Sequence, residues 1–139
     1  MNVAIIKYNA GNIFSVLYAL KRIGVEAIVT DDFDTIRNAD KVIFPGVGEA
    51  SSAMAYLKEK GLDQLIISLK QPVLGICIGE QLLCRHSEEG NVDCLGIFDV
   101  DVKNKKVTTK QYIDLTSKTN ADQICEWEYC QNGGVKQFY

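Results

Sequence analysis

The strongest constraint on the fold is a series of short, mostly apolar runs, each followed by a segment with helical spacing. The runs are Asn2–Tyr8 (NVAIIKY), Val25–Thr30 (VEAIVT), Asp40–Gly46 (DKVIFPG), Pro72–Ile76 (PVLGI) and Leu95–Lys103 (LGIFDVDVK). A strand with one wet face alternates apolar and polar residues, so near-continuous runs call for cover on both faces. Strands interleaved with helices supply that cover. The pattern predicts a three-layer α/β/α sandwich around a mostly parallel sheet.

The helical segments carry their own punctuation. In GNIFSVLYALKRIG, Ile13, Val16, Leu17, Leu20 and Ile23 share a face, Asn12 is placed to cap the start, and Gly24 fits the stop. DDFDTIRNA predicts a turn and a short helix capped by Asp32 or Asp34, and Pro45 must end the third strand because it has no N–H for a ladder. EASSAMAYLKEKG sets Ala50, Ala53, Met54 and Leu57 on one face and stops at Gly61, while LDQLIISLK adds Leu62, Leu65, Ile66 and Leu69 on another helix. Ile78–His86 (IGEQLLCRH) also reads as a helix. The last 36 residues, 104–139, hold scattered apolar residues with neither the strand nor the helix period sustained.

With 139 residues, 47% apolar and 24% charged, the chain is long enough for one domain with its own core. A net charge of -3 without a basic cluster gives no support to nucleic-acid or lipid-surface binding. No apolar run approaches the roughly 20 residues of a membrane span, and MNVAIIKYN lacks the features of a signal peptide, so a cytoplasmic location is expected. The cysteines, Cys77, Cys84, Cys94, Cys125 and Cys130, are odd in number and form no C-x-x-C pair. With a single histidine in the chain, neither a disulfide framework nor a four-ligand zinc site fits, and no metal is expected.

Gly75-Ile76-Cys77-Ile78-Gly79 joins a strand to a helix, which is the cysteine form of a nucleophile elbow. The glycines remove side chains where strand and helix backbones meet, and the turn lifts the thiol out of the sheet. The following helix start, with its free N–H groups, favours thiolate. A glycine pair alone would better suit a small buried cysteine in an ordinary turn. The loop Pro45-Gly46-Val47-Gly48 shifts the balance, because it ends the neighbouring strand on the same rim of the sheet, where ligands of open α/β sheets collect. An N–H from this loop and that of Ile78 are candidate donors to an oxyanion. Gln81, one helical turn beyond Cys77, stands beside it.

Phe44–Gly48 (FPGVG), Gly75–Leu83 (GICIGEQLL) and Tyr8–Leu20 (YNAGNIFSVLYAL) together resemble the class I glutamine amidotransferases. The initial helix, PGVG and HSEEG…LGIFD narrow the resemblance to the glutaminase subunits of imidazole glycerol phosphate synthase, over about residues 1–102. The resemblance implies a flavodoxin-like fold, of which residues 1–103 are the N-terminal part and 104–139 an unmatched tail. It also implies glutamine hydrolysis through a cysteine thioester, without a cofactor, and transfer of ammonia to a (β/α)8-barrel cyclase subunit in histidine biosynthesis. Carried over, Cys77 is the nucleophile, Val47 and Ile78 form the oxyanion region, Gly48 and Gln81 line the glutamine pocket, and Gly11 and Asn12 lie near the cyclase interface. Glu80 replaces the methionine usual in the family. It is expected to complement the helix dipole, with a modest penalty for placing a carboxylate toward the thiol side.

Thioester chemistry also needs a base and acid, normally a histidine oriented by a carboxylate. The only histidine, His86, would lie roughly 13 Å from Cys77 along a continuous helix, too far to serve. The family's late histidine and glutamate, and its P-H-x-G-W segment, have no match here. The chain ends some 60 residues short of the family's length of roughly 200 residues, a common single-domain size. The expectation is therefore a nucleophile without its base, through divergence, truncation or a frame change near Lys103. The last has a specific sign, since Gln123–Glu128 (QICEWE) can be encoded so that the frame one nucleotide earlier reads Pro-Asn-Met-Arg-Met-Gly. The alternatives are another class I amidotransferase or elbow-cysteine hydrolase, and a non-catalytic α/β interaction module.

Overall fold

The computed structural model describes residues 1–9 and 12–103, together with the backbone of 127–129 and 135–137. The chain divides into two compact units, Met1–Lys103 and Asn104–Tyr139. In the first unit, strands β1 (Val3–Ile6), β2 (Ala27–Thr30), β3 (Lys41–Phe44) and β4 (Val73–Gly75) form one sheet in the order β2-β1-β3-β4. All its pairings are parallel, with Ile5 opposite Val29 and Ile43, and Phe44 opposite Gly75. Helices α1 (Ile13–Arg22), α2 (Phe33–Asn38), α3 (Ala50–Lys60), α4 (Leu62–Ser68) and α5 (Ile78–Leu83) run between and after these strands.

The apolar runs are continuous because successive strand residues face opposite ways and both faces are covered. Val3, Ile5 and Ile43 pack on one face with Ile13, Val16, Leu17 and Leu20 of α1. Ala4, Ile6, Val42 and Phe44 enter the larger core on the other face, with Ile36, Met54, Leu57, Leu65, Ile66 and Leu82 from the remaining helices. The expected three layers and parallel sheet are thus present.

Helix punctuation follows the expected chemistry. Ser15 N–H donates to Asn12 Oδ1 at 3.3 Å. Asp32, rather than Asp34, caps α2, accepting from Thr35 N–H at 2.8 Å and Thr35 Oγ1 at 2.6 Å. Gly61, at φ 71°, ends α3 in the left-handed conformation and opens α4 directly.

The helix expected through His86 is corrected. It stops at Leu83, and Cys84–Ser87 form strand β5 in a second sheet, ordered β6-β5-β7. Strand β6 is Val92–Asp93, and β7, Phe98–Val102, is the core of the run expected over Leu95–Lys103. The physical reason is long-range pairing. Cys84 lies opposite Phe98, His86 lies opposite both Asp93 and Asp101, and Gly96 N–H donates to Cys84 C=O at 2.8 Å. Cysteine, histidine and serine are indifferent helix formers, so a ladder on both sides overrides the local pattern. In the second unit, β8 (Trp127–Tyr129) and β9 (Val135–Gln137) form an antiparallel pair, Glu128 opposite Lys136.

Among the described residues, no helix is long and apolar enough to cross a membrane, and no cluster of three histidine, cysteine or carboxylate side chains could hold a metal ion.

Candidate functional site

Cys77 stands between β4 and α5 with φ 57° and ψ -119°, one of two non-glycine residues with positive φ among those described, and its thiol is exposed. An L-residue in this conformation is strained, and the strain persists only where the surroundings enforce it. Here the enforcement is packing. A β-carbon on Gly75 would lie 2.6 Å from Glu80 Cα, and one on Gly79 would overlap the carbonyl of Phe44. Neither position tolerates a side chain, so strand and helix close to a separation that leaves Cys77 projecting. Ile76 N–H donates to Phe44 C=O at 3.0 Å, and the N–H groups of Gly79, Glu80 and Gln81 turn back to Ile76 and Cys77. Among the described residues, no acceptor meets the N–H of Ile78.

The Pro45–Gly48 loop touches this elbow. Gly46 packs so tightly that a β-carbon would overlap the Tyr8 hydroxyl and come within 2.9 Å of Gly79 N and 3.0 Å of Ile78 Cβ. Gly48 adopts φ 113°, open to glycine alone at little cost, and Val47 is exposed beside it. Gln81 sits one turn into α5, half-buried, and its Oε1 is buried with no hydrogen-bond partner among the described residues. Of the two residues expected near a cyclase interface, Asn12 caps α1, whereas Gly11 lies outside the described residues.

Three features were not read from the sequence. Tyr8 continues the period-2 face of Ala4 and Ile6 past the end of β1, which was the available signal for its burial. Its hydroxyl donates to Pro45 C=O at 2.6 Å, and its ring centre lies 5.3 Å from that of Phe44. Burial, and after it the charge of Cys77, hold the phenol far above its ordinary range. The turn after β5 reaches the start of α3, where a β-carbon on Gly90 would lie 2.8 Å from Ser51 Oγ and 3.1 Å from Glu49 Oε1. Finally, His86 is not on a helix. It lies on β5, with Nδ1 2.8 Å from Asp93 Oδ1 across the strand pair, so the helical separation from Cys77 does not apply.

Among the described residues, Cys84 is buried and Cys94 half-buried, whereas Cys77 is exposed. Burial, then the charges of Glu80, Cys94 and Asp101, push the Cys84 thiol up to about 11. Burial, with Asp93 adding to it and Lys58 opposing, also raises Cys94.

The chain is similar to proteins named imidazole glycerol phosphate synthase subunit HisH. Identity is 71% with the one from Bacteroides fragilis and 69% with that from Bacteroides thetaiotaomicron, each over 103 residues, 74% of this chain and 53% of the relative. The Idiomarina loihiensis protein of the same name is 50% identical over the same shares. The chain thus spans about half the length of these curated relatives. With the elbow and its loop in contact and residues 2–129 matching the family as a whole, the chain belongs to the CobB/CobQ-like glutamine amidotransferase domain family.

Proposed function

We propose that this chain carries the nucleophile half of a glutaminase, the glutamine amidotransferase subunit of imidazole glycerol phosphate synthase. The observation that carries the reading is the strained, exposed Cys77 on an elbow in contact with the Pro45–Gly48 loop. In this reading the Cys77 sulfur attacks the carboxamide carbon of glutamine. The N–H of Ile78, which has no acceptor among the described residues, and an N–H of the loop at Val47 receive the oxyanion. Collapse of the tetrahedral species, with the proton of the Cys77 thiol passing to the departing nitrogen, expels ammonia and leaves a thioester, which water then hydrolyses to glutamate and the free thiol. Gly48 leaves the loop open to substrate, and the buried Oε1 of Gln81, without a partner among the described residues, is an acceptor suited to a substrate N–H.

His86 is held by Asp93 in a cross-strand pair, and it is the only histidine of the 139-residue sequence. The relatives' names, each a subunit of imidazole glycerol phosphate synthase, support a second subunit as partner. In this reading that partner is the cyclase that accepts the ammonia in histidine biosynthesis, in a cytoplasmic heterodimer with Asn12 near the contact.

The test is covalent capture. A chloromethyl ketone analogue of glutamine should alkylate Cys77, with the C–S bond forming as chloride leaves, and glutamine should protect. A glutaminase assay with and without the cyclase then measures whether turnover follows the labelling. Labelling spread evenly over the thiols, or indifference to glutamine, removes the reading.

A further inference from the structure

We propose that Tyr8 is a positioning residue for the oxyanion loop, its hydroxyl fixing the Pro45–Gly46 peptide against the Cys77 elbow. The inference rests on the glutaminase reading of that site. The loop is tied at its root by two hydrogen bonds from different strands. Ile76 N–H, from the end of β4, donates to Phe44 C=O at 3.0 Å. Tyr8, from the end of β1, donates its hydroxyl to the next carbonyl, Pro45 C=O, at 2.6 Å.

Proline has no N–H of its own, so Pro45 can join no ladder as a donor, and its carbonyl is the handle by which the fold can hold this peptide. Rotation of the Pro45–Gly46 peptide would turn every later N–H of the loop, including that of Val47. Tyr8 opposes the rotation from two sides. It bonds the carbonyl oxygen, and its hydroxyl presses on Gly46, where no β-carbon could fit. The phenol is buried and packed on Phe44, so its oxygen is a fixed point. It stays a donor through the neutral range, since burial and the neighbouring Cys77 both oppose its ionisation. Tyr8 also lies 37 residues from Pro45 in sequence and makes the only side-chain hydrogen bond to the loop's root among the described residues.

A donor displaced by a fraction of an ångström matters for a charge that develops only during reaction, and little for substrate binding. The test is carried out on the full chain with two thiol reagents. The glutamine chloromethyl ketone places its carbonyl oxygen where the oxyanion donors converge, whereas iodoacetamide needs no such donors. Tyr8→Phe is expected to slow the maximal rate of chloroketone labelling at Cys77 by about 10- to 100-fold, with the half-saturating concentration nearly unchanged. Iodoacetamide labelling of the same thiol should stay within about twofold. Replacing Tyr8 by 4-aminophenylalanine restores a donor on the same ring and should recover most of the chloroketone rate, which also covers an unstable Tyr8→Phe chain. Equal slowing of both reagents, no slowing of either, or failure of the amino analogue in a chain that iodoacetamide labels normally overturns the role of Tyr8. Absence of chloroketone labelling in the unmodified chain, with iodoacetamide labelling intact, overturns the glutaminase reading beneath it.

Discussion

Gly79 packs directly on the carbonyl of Phe44, with no room between them for a β-carbon. The same carbonyl accepts the N–H of Ile76, so one oxygen holds both the end of β4 and the start of α5 against β3. Gly79→Ala must therefore push backbone, not a flexible side chain, and is expected to cost about 2–3 kcal/mol. Gly24→Ala is the control. Gly24 has φ 74° with nothing near its missing β-carbon, so only the left-handed conformation is penalised, at about 1 kcal/mol. Urea unfolding of the two variants checks the ordering, and equal costs would mean that the elbow packing is soft.

The strain at Cys77 predicts a gain from removing its side chain. Cys77→Gly relieves φ 57°, worth on the order of 1–3 kcal/mol, and loses little packing because the thiol is exposed. Glycine gives back part of this through the freedom of the unfolded chain, leaving a net gain of about 1 kcal/mol. Cys77→Ala keeps the β-carbon and should change stability by less than about 0.5 kcal/mol. A urea midpoint that rises for glycine alone supports strain held at Cys77. A fall for glycine rejects it.

How much was legible in the sequence depended on range. The elbow was readable because glycine, cysteine and glycine lie within five residues, and the close approaches at Gly75 and Gly79 involve adjoining elements. The Asn12 and Asp32 caps were readable for the same reason, each acting over three residues. Cys84–Ser87 was not, because the helical pattern of Leu82 and Leu83 runs into it and only partners at Val92–Asp93 and Phe98–Val102 decide for strand. The role of Tyr8 was not legible either, since its partner Pro45 is 37 residues away and offers a carbonyl that no side-chain pattern reveals. Residues 104–126, where the sequence lost its periodicity, lie outside the described residues.

Thiol mapping should separate the cysteines of the first unit. Cys84 is buried and its thiol is pushed up to about 11, first by burial and then by Glu80, Cys94 and Asp101. At pH near 7.5 its thiolate fraction is smaller than that of an ordinary cysteine by more than about 100-fold. Iodoacetamide followed by peptide mass mapping should find Cys77 modified long before Cys84. Glu80→Gln removes the second cause of the shift and should speed Cys84 labelling, while leaving burial as the main barrier. Comparable early labelling of Cys77 and Cys84 would contradict the burial assigned to β5.

The Asp32 cap predicts a stability difference with a definite sign in pH. Its carboxylate accepts from Thr35 Oγ1 and from Thr35 N–H, in that order of effect, and both bonds hold it below the ordinary aspartate value. In the unfolded chain it titrates near about 3.9. A depressed folded value means that the unfolded state takes up the proton first on acidification. The cap therefore contributes fully above pH of about 4, and the ionic part of its contribution disappears as pH falls through the lower folded value. Asp32→Ala should lower the urea midpoint at pH 7, and the gap from the unmodified chain should narrow steadily below pH of about 4. Thr35→Val, which removes only the hydroxyl donor, should narrow that gap's pH dependence while preserving the backbone half of the cap. A gap that is flat down to pH of about 2.5, or widens there, would show that Asp32 holds α2 without its charge.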